Sequence, residues 1–182
     1  MRIISGTAKG RQLDAPAGRN TRPTSDKVKE ALFGIIQFEI AGSRVLDLFS
    51  GSGNLGLEAL SRGAEVAVFN DNDSGCVRII QNNAQKLGFL DRSVIMNRDY
   101  SSCLSFLANK RSFDFIFIDP PYKQDIERSA VELIFSLGLL ARGGRVIVER
   151  SSKDYSSYEG RLLSVRKYGD TELVFLTNPE SE

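Results

Sequence analysis

Among its 182 residues the chain has no histidine. Imidazole is therefore unavailable as base, proton shuttle or metal ligand, which removes Ser-His-Asp and Cys-His hydrolases and histidine-ligated zinc together. Cysteine is nearly as scarce: Cys76 and Cys103 are the two present, and neither stands in a CxxC or other metal spacing. At most one disulfide could form, so reduced thiols in a cytoplasmic protein are expected, with no metal. The opening MRIISGTAKGRQ lacks an apolar targeting segment, and no stretch approaches the roughly 18 apolar residues of a membrane helix. Neither signal peptide nor membrane span is expected. An excess of charge of one sign is missing as well, since 24 basic residues face 23 acidic ones for a net of +1. Taken whole, that balance gives no sign of a polyanionic partner.

What is present is an ordinary globular composition, 41% hydrophobic and 26% charged, in a length that suits one domain with one sizeable core. From Arg44 onward β-branched or aromatic runs alternate with helical stretches, the pattern of a parallel α/β sheet. Strands are expected at Arg44–Phe49, Glu65–Asn70, Ser93–Arg98, Phe113–Ile118 and Arg145–Glu149, the last announced by Gly143-Gly144. Helices are expected at Leu55–Arg62, Ser74–Leu87, Tyr100–Lys110 and Ile126–Leu139. RLLSVRK and TELVFLT flank Tyr168-Gly169-Asp170 and read as an antiparallel hairpin added to the sheet. The first 23 residues differ in character, being rich in Gly, Arg, Lys, Pro and Thr, and can form a hairpin around Gly6–Gly10. A helix capped by Thr24 or Ser25 follows, with Val28, Ala31, Leu32, Ile35 and Ile36 at helical spacing.

The strand VLDLF runs through Ser50-Gly51-Ser52-Gly53 into a helix. Two glycines let the backbone approach a ligand closely and the helix start offers free N–H groups, so a nucleotide-like cofactor belongs there. Gly51, Gly53 and Gly56 also satisfy GxGxxG, and Asp71 follows Gly51 by 20 residues, as in dinucleotide sites. The pattern alone does not separate a nicotinamide dinucleotide from S-adenosyl-L-methionine. Asp47 favours the latter, because a carboxylate at the strand's end suits a cationic methionine amino group and would repel a pyrophosphate. Asp71, in Asn70-Asp71-Asn72-Asp73, is placed to accept both ribose hydroxyls. Asp73 reads as a helix cap. Asp99 can accept from an adenine amino group, or cap a helix, and Tyr100 can flank the ring.

Asp119-Pro120-Pro121-Tyr122 directly follows the buried run FDFIFI and is the most specific signal in the chain. Two prolines force the backbone out of the sheet, so the Asp119 carboxylate and the Pro120 carbonyl can converge on one exocyclic amino group. Tyr122 offers a face on which an extruded base can stack.

These residues resemble the motifs of class I S-adenosyl-L-methionine-dependent methyltransferases that act on amino groups of nucleic acids. Thr21-Arg22-Pro23-Thr24 followed by Asp26-Lys27-Val28-Lys29-Glu30-Ala31-Leu32-Phe33, the opening MRIISGTAKGRQL, LDLFSGSGNLGLEALSRGA and the closing YGDTELVFL extend the likeness over nearly the whole chain. They resemble the bacterial 16S ribosomal RNA guanine N2-methyltransferase family. That resemblance implies a Rossmann-like, mostly parallel sheet of seven strands in the order 3-2-1-4-5-7-6. It implies methyl transfer to N2 of one guanine in 16S rRNA of the 30S subunit; a monomer is expected. Asp47, Phe49, Ser50, Gly51, Ser52 and Gly53 would line the methionine end, Asp71 with Asn72 the ribose, Asp99 with Tyr100 the adenine, and Asp119, Pro120, Pro121 and Tyr122 the target guanine. The chain departs from the family at Asn70, usually apolar, at Asp71, more often Glu, and at Lys29, often Arg, where a bidentate contact would be weakened. The motifs themselves leave adenine N6, cytosine N4, a protein glutamine and, more remotely, a nicotinamide oxidoreductase or a cofactor-free RNA-binding module as alternatives.

Charge counted by segment revises the first impression. Residues 1–29 hold seven basic side chains against Asp14 and Asp26, while the remainder holds 17 basic and 21 acidic. A basic arm over residues 1–23, with Arg2, Lys9, Arg11 and Arg22, is the expected grip on rRNA.

Overall fold

The computed structural model describes residues 1–16, 26–120, 124–152, 158 and 160–178. Seven strands form one sheet: β1 (Arg44–Asp47), β2 (Val66–Asp71), β3 (Ser93–Asn97), β4 (Phe113–Ile118), β5 (Leu140–Ser151), β6 (Leu162–Tyr168) and β7 (Thr171–Leu176). Their order is β3-β2-β1-β4-β5-β7-β6, as the resemblance implies. The first five run parallel, and β7 enters antiparallel between β5 and β6.

Among the described residues five α-helices cover the two faces. On one side α1 (Asp26–Ile35), α2 (Asn54–Ser61) and α3 (Ser74–Leu87) bury Leu32, Phe33, Leu57, Leu60 and Ile80 against Phe69, Phe117 and Phe175. On the other, α4 (Tyr100–Leu107) and α5 (Gln124–Ser136) bury Leu104, Leu107, Val131 and Ile134 against Leu46, Val68, Ile116 and Val148. Neighbouring residues of β4 thus enter opposite cores, which is why FDFIFI is apolar at almost every position. Of the apolar set expected on α1, Ile35 turns out 39% exposed, while Phe33, outside that set, is fully buried at 0%.

Several boundaries shift for local reasons. β1 stops at Asp47, two residues early, because the Ser50 hydroxyl donates to the Asp47 carbonyl at 2.6 Å and draws the chain into the glycine turn. α4 stops at Leu107, before Asn109 at φ 60°. β5 begins five residues ahead of Arg145, so the Gly143-Gly144 pair lies inside the strand, where the β4–β5 register shifts. The final hairpin closes with two residues, Gly169 and Asp170, between the paired Tyr168 and Thr171.

Residues 1–16 fold back as expected, with an antiparallel bridge between Arg2 and Gln12. The arm is docked on α2 by a carboxylate: buried Glu58 accepts from the Ile4 and Ser5 amides at 2.8 and 3.0 Å. Ser61 extends the dock, accepting from the Ala8 amide at 3.0 Å and donating to the Ser5 carbonyl at 2.6 Å. Gly6, at φ 84°, passes so close that a Cβ there would lie 1.8 Å from the Ser61 carbonyl oxygen. The expected caps Thr24 and Ser25 lie outside the described residues.

Candidate functional site

Register places the candidate groups along one edge. Asp47 pairs with Phe69 of β2 and Phe117 of β4, and Asp71 pairs with Asn97 of β3. Asp71, Asp99 and Asp119 each stand two residues beyond those partners, so four adjacent strands bring an aspartate to the same carboxyl end of the sheet. In a parallel α/β sheet that end, where strand order reverses beside the first strand, is where ligands bind.

The glycine loop is shaped from below and behind. Gly51 and Gly53 adopt φ 55° and 80°, and the Gly53 amide closes the turn on the Ser50 carbonyl at 2.7 Å. α2 starts without a side-chain cap of its own. Asp47 supplies one from β1, its Oδ2 accepting from the Gly56 amide at 2.9 Å. A Cβ on Gly56 would come within 2.3 Å of the Phe69 ring, so this third glycine lets helix and sheet meet closely. Asp47 is buried, 3% exposed, and burial pushes its carboxyl up to about 7; the Gly56 hydrogen bond opposes that rise and nearby Asp71 adds to it.

Asp71 accepts from the Gly51 amide through Oδ2 and from the Asp73 amide through Oδ1, both at 2.9 Å. Asp73 caps α3 through the Gly75 amide at 2.7 Å, the role expected of it. Asp99 caps α4, accepting from the Ser101 hydroxyl at 2.7 Å and amide at 2.9 Å, and the hydroxyl bond first among these holds its carboxyl below the ordinary carboxylate value. The next residue, Tyr100, packs against Phe49 with ring centroids 5.7 Å apart, so the β1 and β3 loops present two aromatics together. Asn72, after β2, is exposed. Ser50 and Ser52 are both buried: Ser50 holds the turn, and the Ser52 hydroxyl lies 3.6 Å from the Met1 thioether. Asp119 and Pro120 are half-buried at the end of β4, while Pro121 and Tyr122 lie outside the described residues.

The set suits the cofactor expected here. Asp47, the glycine turn, Asp71 and then Asp99 with Tyr100 lie along one sheet edge, and acidic, close-approach and aromatic groups of this kind are what an ammonium, a ribose diol and a purine would need. Among the described residues no cluster of His, Cys, Asp and Glu could hold a metal ion.

Sequence reasoning missed the groups that brace this edge. Asn70, 1% exposed, donates to the carbonyls of Leu48 at 3.2 Å and Arg98 at 3.1 Å, joining the loops after β1 and β3. A polar side chain in an otherwise apolar buried strand was the available signal. Lys29, counted above among the basic side chains of residues 1–29, is 0% exposed and meets a carboxylate, pairing with Glu58 at 3.1 Å, with burial pulling its pKa down. Its charge therefore does not add to the basic arm. Arg2 is engaged with Asp26 at 3.0 Å and Arg11 donates to the Lys86 carbonyl at 2.8 Å, which leaves Lys9 exposed and Arg22 outside the described residues.

Fold and site together define a Rossmann-like class I methyltransferase. Residues 1–177 match the protein family described as Conserved hypothetical protein 95, and the chain belongs to that family. It is 39% identical over 175 residues to YlbH of Bacillus subtilis, covering 94% of this chain and 95% of that protein. It is 34% identical over 150 residues to ribosomal RNA small subunit methyltransferase D of Haemophilus influenzae, covering 82% and 78% of the two chains. The solved structure of yhhF from Escherichia coli matches with a TM-score of 0.85 and 30% identity over 99% of each chain.

Proposed function

We propose that the protein transfers the methyl group of S-adenosyl-L-methionine to the exocyclic N2 of a guanine in 16S rRNA, as a cytoplasmic monomer in which residues 1–182 form one catalytic unit and residues 1–23 its basic arm. The observation that carries this reading is the register that brings Asp47, Asp71, Asp99 and Asp119-Pro120 to one end of four adjacent strands. The small-subunit rRNA methyltransferase named above supports the choice of substrate.

When bound, the cofactor supplies a sulfonium-activated methyl group. The protein's task is then alignment. Asp47 would offer a carboxylate to the methionine ammonium with Phe49 lining the same end, Asp71 would take the ribose hydroxyls, and Asp99 with Tyr100 would hold the adenine. Asp119 and the Pro120 carbonyl accept the two N–H bonds of the guanine amine, which leaves its lone pair directed away from both. Holding reacting atoms near ~3–3.5 Å in line converts a bimolecular step into an effectively unimolecular one, worth several kcal/mol of barrier. The attacking nitrogen becomes acidic as it is methylated, and its proton passes to Asp119 or to water. No imidazole is needed at any point, which fits a chain without histidine.

The test is incubation with tritiated S-adenosyl-L-methionine and, in parallel, 30S subunits, naked 16S rRNA or DNA from a strain lacking the modification. Label recovered as N2-methylguanosine in 16S rRNA is the expected result. Label confined to DNA, or to adenine N6 or cytosine N4, would overturn the proposal.

A further inference from the structure

Two fully buried side chains tie the arm to the glycine loop, one on each side of Gly53. Asn83, on α3 and 0% exposed, accepts from the Asp14 amide at 2.9 Å and donates to the carbonyls of Asp14 and Ser52, both at 3.0 Å. Lys29, on α1 and also 0% exposed, donates to the Arg2 carbonyl at 2.6 Å and to Asn54 Oδ1 at 2.7 Å. Arg2 lies on the first limb of the arm, and Asp14 follows the second, so each limb reaches one neighbour of Gly53. Met1 adds a third link through Ser52. The loop that must keep a left-handed glycine between Ser52 and Asn54 is thus held from the arm rather than by its own residues alone.

We infer that Asn83 and Lys29 are positioning residues. They hold Ser52 through Asn54 in the conformation the cofactor requires, and so link cofactor affinity to engagement of the arm by RNA. This rests on the reading of the glycine loop as the cofactor site. The physical reason is that binding to a loop already held in place avoids the cost of ordering it. Any RNA that fixes the arm then favours the cofactor, and by linkage the cofactor favours RNA to the same degree.

Asn83→Asp is the informative variant, because it keeps side-chain size and the acceptor for the Asp14 amide but loses both donated bonds and points a carboxylate at two carbonyls. Titration calorimetry with S-adenosyl-L-homocysteine is expected to show binding weakened about tenfold, since a buried acceptor stripped of its donor loses on that scale. Turnover at saturating S-adenosyl-L-methionine should stay within about threefold of wild type, placing the defect in KM rather than kcat. A 16S rRNA transcript should strengthen cofactor binding in the wild type and not in Asn83→Asp. Glu132→Gln is the control, because Glu132 is an exposed residue paired with Arg128 on α5, across the sheet from the arm, and its cofactor affinity should equal wild type. Unchanged affinity in Asn83→Asp, an equal loss in Glu132→Gln, or no effect of the transcript on the wild type would each overturn the inference. Asp71→Ala tells this failure from failure of the underlying reading: if it too binds S-adenosyl-L-homocysteine as wild type does, the loop is not the cofactor site.

Discussion

The Gly51 amide donates to Asp71 Oδ2 at 2.9 Å, so the residue proposed to hold the ribose also holds the glycine turn. Its other oxygen is engaged by the Asp73 amide at 2.9 Å. Asp71→Asn turns an NH2 toward one of those two donors and is expected to weaken cofactor binding at least about tenfold, through both the loop and the missing carboxylate. Calorimetry with S-adenosyl-L-homocysteine checks this, and wild-type affinity would remove the ribose role from β2.

Asp47 makes both stability and binding depend on pH. Its folded value of about 7 lies above the ordinary 3.8. Between those values the folded protein keeps a proton that the unfolded chain has released. Stability of the cofactor-free protein should therefore fall as pH rises from about 4 to 7, by up to about 1.4 kcal/mol per pH unit. Cofactor affinity should rise from pH 6 to pH 7.5 as the carboxylate ionises to meet the ammonium. Asp47→Asn should flatten both profiles, measured by chemical denaturation and by calorimetry.

Asp119→Ala is expected to slow methyl transfer at least about a hundredfold while leaving affinity for S-adenosyl-L-homocysteine near wild type, because the role proposed for this carboxylate is on the target amine and not on the cofactor. A fall in cofactor affinity instead would reassign Asp119 to the cofactor pocket.

The arm's charges can be tested through salt. Replacing Arg2, Lys9 and Arg11 together by glutamine should weaken binding of 16S rRNA and reduce the slope of log affinity against log salt by about 0.7–0.9 for each phosphate that the arm neutralises. Arg2 already has Asp26 as a partner and the Arg11 guanidinium already donates to a backbone carbonyl, so the slope should change by less than three phosphates' worth. An unchanged slope would mean that the arm does not touch the RNA backbone.

Glu58 carries the heaviest structural load for its size. It pairs with Lys29 and Arg62 and accepts two arm amides, all at 3.1 Å or less and with its side chain fully buried. Glu58→Gln leaves Lys29 buried without its counter-charge and should cost about 3–5 kcal/mol, read from denaturant midpoints. A cost under about 1 kcal/mol, the range of an exposed pair, would show that Lys29 is neutralised in some other way.

Much of the cofactor edge could be read from the chain because its determinants are local. Asp47, the glycines and Asp73 act within a few residues of a strand end or helix start, where turn chemistry and capping leave a pattern. Asn83, Lys29 and Glu58 left none. Asn83 sits on the inner face of an ordinary amphipathic helix, Glu58 is one acid within LGLEALS, and Lys29 counts as one more cation in a basic segment. Apart from the Glu58–Arg62 pair, their roles depend on partners 25 to 69 residues away, brought together by the arm's return across α2 and α3. Net charge has the same weakness, since counting cannot tell an exposed lysine from one buried against glutamate.

Finally, the sheet's spatial order differs from its order of synthesis. β7 is the last strand among the described residues yet an interior one, pairing with β5 on one side and β6 on the other. Until Thr171 through Leu176 have left the ribosome, β6 has no neighbour and β5 has one open edge. The buried Leu173, Val174, Phe175 and Leu176 are missing from both cores as well. Strands β1 to β5 are translated earlier, so a nascent chain can carry the complete glycine loop and all four edge aspartates while its sheet still has a gap. Completion of this sheet therefore waits for β7, and ribosomes stalled within β7 should display the glycine loop on a chain whose sheet has not closed.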